Sequence, residues 1–253
     1  MENLIKKAAN TIANAQNIAA LTGAGISVES GIPPFRGQGG VWERIDPMEY
    51  AHIDALIQNP VKVWNMLIKE MASMVGVAQP NDGHKGLVRL ERQGCLKTII
   101  TQNVDGLHQK AGSTDVIEFH GSFAWLRCMQ CNKRCETGTA DLSVIPPRCE
   151  CGGIFRPDCI FFGEIIPPDV LMRSHQVSSE CELMLVIGTS ATVQPAASIP
   201  MTAKAATGAV IIEINPEPTP LTEQDSDIFL QGKAGDMMNR IGKFMPSSFG
   251  FEI

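Results

Sequence analysis

The chain has 253 residues, 44% of them hydrophobic and only 19% charged, with 21 Lys and Arg against 27 Asp and Glu for a net charge of −6. That length supports one or two domains with a full core, and the low charged share marks a globular chain. The acidic balance argues against direct nucleic-acid binding, which needs a basic surface.

Residues 1–16 lack the apolar run and cleavage pattern of an export signal. The charge-free stretch Leu183–Ala203 is strongly apolar only over Leu183–Ile187. A bilayer span takes about 20 apolar residues, so this reads as a buried strand and a loop, with no membrane attachment. Eight cysteines in such a chain read as thiols or metal ligands in a reducing, cytoplasmic compartment.

In chain order, residues 3–15 predict a helix with Leu4, Ile5, Ala8, Ala9 and Ile12 on one face, and 17–21 a buried strand. A glycine-rich stretch, 22–40, follows. Asn59-Pro60 is a helix start, continued by Val61, Trp64, Leu67, Ile68 and Met71 to about Gly76. A helix over 84–93 precedes strands at 97–101 and 115–119. A cysteine-rich segment spans 127–153. Residues 182–187 and 209–214 are continuous apolar runs, as a parallel sheet buried on both faces requires. A last strand falls at 227–230 and a last helix at 234–244.

Strands alternating with helices predict an α/β fold built on a doubly wound parallel sheet. Residues 1–39, 86–120 and 159–253 supply that sheet domain. The helical module 40–85 and the cysteine module 121–158 interrupt it, and are expected to form one small discontinuous lobe. A cleft between lobes is a natural ligand site.

Gly23-Ala24-Gly25 directly after a strand lets the backbone turn tightly and approach a phosphate. The dehydrogenase fingerprint wants glycine or alanine where Val28 stands, and Gly31, Pro33 and Pro34 stop a helix after about two turns. Arg36, among Gly37, Gly39 and Gly40, puts one cation in a loop able to close over a phosphate or ribose. Cys128-x-x-Cys131 and Cys149-x-Cys151, 17 residues apart, match a tetrahedral structural zinc site, with Gly152-Gly153 for the turn and Cys135 as a competing ligand. Cys95, Cys159 and Cys181 sit in apolar contexts and read as core. Gln102, Asn103 and Asp105 leave a strand's carboxyl end, where open α/β sheets bind ligands. Asp105 reads equally as a ligand contact or as the N-cap of a helix over Gly106-Leu107-His108. Of five histidines, His120 is the one at such a strand end, where imidazole serves as a general base. Gly188-Thr189-Ser190 and Asn215-Pro216 also follow buried strands, and read either as ribose and phosphate contacts or as turns.

Taken in order, GAGISVESGIPPFRG, TQNVDGLH, EFHGS, the paired cysteines, FFGE, GTS and IEINPE resemble the sirtuins, the NAD-dependent protein lysine deacylases, over about residues 1–244. The resemblance implies a Rossmann-like domain with a small zinc-and-helix lobe, one structural zinc on Cys128, Cys131, Cys149 and Cys151, and NAD consumed as co-substrate. It assigns Ala24, Val28, Phe35 and Arg36 to the cofactor loop. Gln102, Asn103, Val104 and Asp105 fall to the ribose and nicotinamide pocket, with Asn103 counted among the catalytic residues. Gly188, Thr189, Ser190, Asn215 and Ala234 fall to the phosphates and adenosine, and His120 to the general base. Phe162, Gly163, Glu164 and Val193 fall to strands that clasp an acetyl-lysine peptide.

The reaction so implied begins when the acyl oxygen attacks the ribose carbon bearing nicotinamide. Nicotinamide leaves, a ribose hydroxyl deprotonated by His120 attacks the resulting imidate, and with one water consumed lysine and O-acetyl-ADP-ribose are released. Pro34 stands where the family often has Asp, and Phe161-Phe162 where a Trp is common. Mono-ADP-ribosyl transfer and removal of other acyl groups are the alternative activities. The resemblance implies that members taking acidic acyl groups carry a Tyr and an Arg on the small-lobe helix to bind the acyl carboxylate. The matching stretch Val61–Met74 lacks both, so Met66, Leu67 and Ile68 are expected to line an apolar acyl pocket, with Lys69 a cation for which Glu70 competes.

Overall fold

In this computed structural model the described residues are 1–37, 39–67 and 77–251. Helix α1 (Glu2–Asn14) leads into β1 (Ile18–Thr22). Three short helices follow: α2 (Pro47–Tyr50), α3 (Ile53–Gln58) and α4 (Pro60–Met66). Then come α5 (Asp82–Arg92), β2 (Leu96–Thr101), α6 (Leu107–Ala111) and β3 (Val116–Glu118). Strands β4 (Gly121–Cys128), β5 (Arg134–Glu136) and β6 (Phe155–Cys159) form an antiparallel sheet in the order β5-β4-β6. The chain closes with α7 (Pro168–Glu180), β7 (Leu183–Ile187), α8 (Ile199–Thr207), β8 (Val210–Asn215), α9 (Pro220–Gln224), β9 (Ile228–Gln231) and α10 (Ala234–Gly242).

The main sheet runs β3-β2-β1-β7-β8-β9, and all its pairings are parallel. Its strands are buried on both faces, which is why they appear in the sequence as unbroken apolar runs. Alternate residues serve alternate cores. Ile18, Ala20, Leu183 and Leu185 face α1, α5 and α10, while Ala19, Leu21, Met184 and Val186 face α7 and α8. The order changes direction at β1, which lies between β2 and β7. Ligands of open α/β sheets bind outside the carboxyl ends at such a switch point.

The two insertions share a third core. Leu56, Val63, Trp64, Met66 and Leu67 pack against Leu126, Cys128, Phe155, Cys159 and Phe161. Trp64 Nε1 donates to the Phe155 carbonyl at 2.9 Å, which satisfies the one polar atom the burial of that ring would orphan.

Several elements depart from the sequence expectation. Helix α5 begins two residues early, because Asn81 and His84 form a reciprocal cap at its start. Helix α8 begins where loop was expected, and α7 lies in a stretch to which the sequence expectation gave no element; each opens on a proline in its first turn, a breaker elsewhere but a starter there. Val61, expected on the buried face of its helix, is 47% exposed, and Val63 takes its place. The remainder of that expected helix, from Ile68 to Gly76, lies outside the described residues.

Candidate functional site

The site begins where two loops meet backbone to backbone. Gly23 N donates to the Ile187 carbonyl at 3.0 Å, and Gly25 N to the Gly188 carbonyl at 2.8 Å. A Cβ on Gly25 would lie 2.6 Å from Gly188 Cα, so no side chain fits. The chain then winds as a tight 3-10 helix over Ala24–Ser30 and ends at Gly31, in the left-handed region with φ 86°. The dehydrogenase arrangement, with a long helix here, is absent.

The loop after β2 joins the loops that leave β1, β3 and β7. Gln102 N donates to the Thr22 carbonyl at 2.9 Å, and its side chain donates to Thr189 Oγ1 at 2.9 Å. Asn103, 5% exposed, donates to the Gly23 carbonyl at 3.1 Å and to Ser27 Oγ at 3.2 Å. Ser27 Oγ donates to Asp105 Oδ2 at 2.6 Å, and Asp105 Oδ1 accepts from Leu107 N at 2.9 Å. Asp105 thus tethers the first residue of α6, whose N-cap is Gly106, and is also a strut of the glycine loop. The Val104 carbonyl accepts from Phe123 N at 3.0 Å, which ties this loop to β4 of the insertion.

His120 follows β3, and its Nδ1 lies 3.1 Å from the Gln102 carbonyl. A carbonyl only accepts, so Nδ1 carries the proton and Nε2 keeps its lone pair. Burial lowers the His120 pKa, and the hydrogen bond to Gln102 opposes this in part. The ring is thus a neutral base with one nitrogen committed and the other available.

Two more histidines stand behind the loop. Their rings meet edge to face with centroids 4.9 Å apart, and His108 Nε2 lies 2.9 Å from Thr22 Oγ1. Burial holds His108 at about 3, helped by its neighbour His84; burial holds His84 at about 4, against the pull of Asp105. Asn81, from the cap of α5, donates to the Ile26 carbonyl at 2.7 Å and to Ser30 Oγ at 2.9 Å, and so braces the 3-10 helix.

The other expected residues spread along the same edge. Ala24 lines the start of the 3-10 helix, and Val28 is 39% exposed. Phe35 stacks on Trp42 with centroids 5.3 Å apart, while Arg36 is exposed. Gly188 and Thr189 abut Gly23, and Ser190 bonds Thr192 at 2.9 Å. Asn215 closes β8, its side chain donating to the Glu217 carbonyl at 2.7 Å. Ala234 is buried at the start of α10, where Gly235 N donates to Glu29 of the 3-10 helix at 2.6 Å.

Phe162 N donates to the Ala51 carbonyl at 2.8 Å, and the Phe162 carbonyl accepts from Ile53 N at 3.0 Å. Gly163 has φ 85°, and the Glu164 side chain is engaged by Arg156. Val193 is half-buried, its carbonyl accepting from Ala197 N at 2.8 Å. Of the expected acyl pocket, Met66 and Leu67 are buried in the third core, and Ile68, Lys69 and Glu70 lie outside the described residues.

Cys128, Cys131, Cys149 and Cys151 bring their sulfurs within 4.8 Å of one another. The Cys128–Cys151 and Cys131–Cys149 sulfurs lie 3.5 and 3.7 Å apart. Four thiolates around one zinc at about 2.3 Å sit about 3.8 Å apart, so the donor set fits a tetrahedral ion. Gly152 supplies the turn with φ 88°, and a Cβ on Gly153 would meet Cys128 Sγ at 2.8 Å. Cys135 stays outside the cluster, while Cys95, Cys159 and Cys181 are buried as expected.

Ser27, Asn81 and His84, none of them a site residue expected from the sequence, also build this edge. Asn81 and His84 did carry a signal: an N-cap residue three before a polar partner at a helix start. Ser27 carried none, since its partners lie 76 and 78 residues away.

The fold and site thus define a Rossmann-like protein whose loops converge on a buried asparagine and a neutral histidine beside a tetracysteine lobe. The chain matches the Sir2 family model over residues 23–195 and belongs to that family. It is 47% identical over 237 residues to NAD-dependent protein deacylase 1 of Archaeoglobus fulgidus, covering 93% of this chain and 96% of that protein. A Sir2 homologue variant in complex with ADP-ribose superposes with a TM-score of 0.91 at 44% identity, covering 98% of both chains. A Sir2–p53 peptide–NAD+ complex superposes with a TM-score of 0.85 at 31% identity, covering 94% of this chain and 97% of that one.

Two predictions follow from this geometry. Cys128→Ala or Cys149→Ala should release metal and lower the melting temperature, and Cys135→Ala should do neither. Metal analysis decides, and loss from the Cys135 variant alone would overturn the ligand set. His84 and His108 bind protons in the unfolded chain near pH 6.5 but resist them when folded. Their contribution is therefore complete above pH 6.5 and lost as the pH falls toward 4. The melting temperature should drop across that window, and less steeply in His108→Gln; an identical slope would contradict the assignment.

Proposed function

We propose that this chain is an NAD-dependent protein lysine deacetylase that releases nicotinamide and O-acetyl-ADP-ribose. The observation that carries this reading is the His120–Gln102 contact, which leaves Nε2 of a neutral imidazole free at the end of β3. Family membership and the deacylase relatives support it.

On this reading the 3-10 helix Ala24–Ser30, with Phe35 and Arg36, receives the cofactor. Its curvature disfavours the extended dehydrogenase pose and suits a nicotinamide turned into the pocket of Gln102, Asn103, Val104 and Asp105. Asn103, fixed by Gly23 and Ser27, orients the reacting ribose. Thr189, Ser190, Asn215 and Ala234 receive the phosphates and adenosine. His120 Nε2 takes the proton from a ribose hydroxyl. Phe162–Glu164 and Val193 bind the acetyl-lysine peptide. A zinc ion on the four cysteines would cross-link the insertion and take no part in the chemistry. We treat residues 40–85 and 121–158 as one small lobe because they share a core.

The partner is an acyl-lysine protein or peptide, with no role for nucleic acid or membrane. We place the chain in the cytoplasm, where thiolate ligands stay reduced. Among the described residues no helix is long and apolar enough to cross a membrane.

Mass spectrometry of an acetylated peptide incubated with NAD tests the reading: free lysine and O-acetyl-ADP-ribose must appear together. Transfer of ADP-ribose to the peptide would favour the ADP-ribosyltransferase alternative instead. His120→Ala should cut turnover by about 10²–10⁴ with little change in peptide affinity, and near-normal turnover would remove His120 from the chemistry.

Acyl choice gives a further prediction. The sequence Val61–Met74 offers no Tyr or Arg to pair with an acyl carboxylate, and burying an unpaired carboxylate costs several kcal/mol. Lys69 lacks arginine's bidentate fork. Acetyl should therefore be removed in preference to succinyl by at least about tenfold in kcat/KM. Equal or faster desuccinylation of the same peptide would contradict this.

A further inference from the structure

Arg156, on β6, is 11% exposed at its side chain and paired with Glu164. The pair is bidentate: Nη1 donates to Oε1 at 2.5 Å and Nη2 to Oε2 at 2.8 Å. Nη2 also donates to the Cys159 carbonyl at 2.7 Å, and Nε donates to the Pro157 carbonyl at 3.3 Å. The guanidinium lies 5.1 Å from the centre of the Phe161 ring. The segment from 157 to 164 is thus wrapped around one cation. Glu164 closes the wrap from its far end, because Oε2 also accepts from Phe161 N at 2.8 Å.

This segment makes two further connections. Ile160 N donates to the His120 carbonyl at 2.9 Å. Phe162 pairs through its backbone with Ala51 and Ile53 of the helical insertion. Both Phe162 backbone groups and both Glu164 oxygens are therefore occupied within the chain. The wrapped segment fixes the distance between the strand end bearing His120 and the residues assigned to the peptide.

We propose that Arg156 and Glu164 act as one positioning clamp that sets the peptide-binding segment relative to His120. This rests on the deacetylase reading above. Glu164 serves the substrate through the backbone it shapes, and Arg156 is the residue that holds it there. A planar, five-donor guanidinium is required, because a lysine ammonium cannot reach the carboxylate twice while serving two carbonyls and stacking on Phe161.

The test compares Arg156→Lys, Glu164→Gln and the double variant with the wild-type enzyme, using an acetyl-lysine peptide and NAD. Each single variant should raise the peptide KM by about tenfold, as loss of a charge-assisted hydrogen bond does. The KM for NAD and kcat at saturating peptide should stay within about twofold, a split that general loss of structure would not produce. Zinc content and melting temperature report folding separately. The double variant should be no worse than either single one, since both break the same clamp.

An unchanged peptide KM in folded variants, additive losses in the double variant, or equal falls in kcat and NAD affinity would each overturn the clamp. A wild-type enzyme that deacetylates nothing would overturn the deacetylase reading itself, and the clamp with it.

Discussion

Everything at the carboxyl edge of the sheet depends on how closely two loops approach one another. Strands β1 and β7 are neighbours, and the turns that leave them touch at Gly23, Gly25 and Gly188 without an intervening side chain. Past that contact the chain does not run into a long helix aimed at a pyrophosphate, because Gly31 takes the left-handed conformation and Pro33 and Pro34 follow it. The chain instead coils into a short 3-10 segment whose carbonyl and hydroxyl groups face the loop after β2. On the proposed reading, a dinucleotide held here meets a short 3-10 turn and a set of amides, which suits cleavage of the nicotinamide bond better than hydride transfer.

The loop after β2 answers that geometry with hydrogen bonds alone. Gln102 holds the β7 loop, Asn103 and Asp105 both hold the glycine loop through Ser27, and Asp105 also holds the start of α6. Buried hydrogen bonds of this kind are electrostatically stronger than exposed ones, while the supporting histidines leave His84 Nε2 and His108 Nδ1 without a partner among the described residues. These histidines stay neutral because burial opposes their charge. His120 is neutral for the same reason, but its chemistry is decided by the Gln102 carbonyl, which fixes the tautomer. One loop therefore both shapes the proposed cofactor pocket and aims the proposed base.

Much of this was legible in the sequence. The strands show as apolar runs because a parallel sheet is covered on both faces. The candidate site residues show as small and polar residues just past those runs. The paired cysteines show because a tetrahedral ligand set imposes its own spacing. What was hidden depends on partners far away in the chain. Ser27 is an ordinary serine until the fold brings Asp105 to it, and Arg156 an ordinary strand arginine until Glu164 curls back beneath it. Helix α8 was missed for a local reason: a proline breaks a helix or starts one according to its position. Asp105 reads in the sequence equally as a ligand contact or a helix N-cap; in the fold Gly106 takes the N-cap position, while Asp105 ties Leu107 with one oxygen and braces the glycine loop with the other.

The central claim is that close packing of the β1 and β7 turns creates the cofactor floor, and calorimetric titration of NAD into Gly25→Ala measures this most directly. An added methyl would lie 2.6 Å from Gly188 Cα and must push the turns apart. Overpacking of this kind costs about 1–3 kcal/mol, and displacement of the floor should weaken NAD binding by about tenfold or more while the sheet stays folded. Wild-type affinity in a folded Gly25→Ala protein would contradict the account.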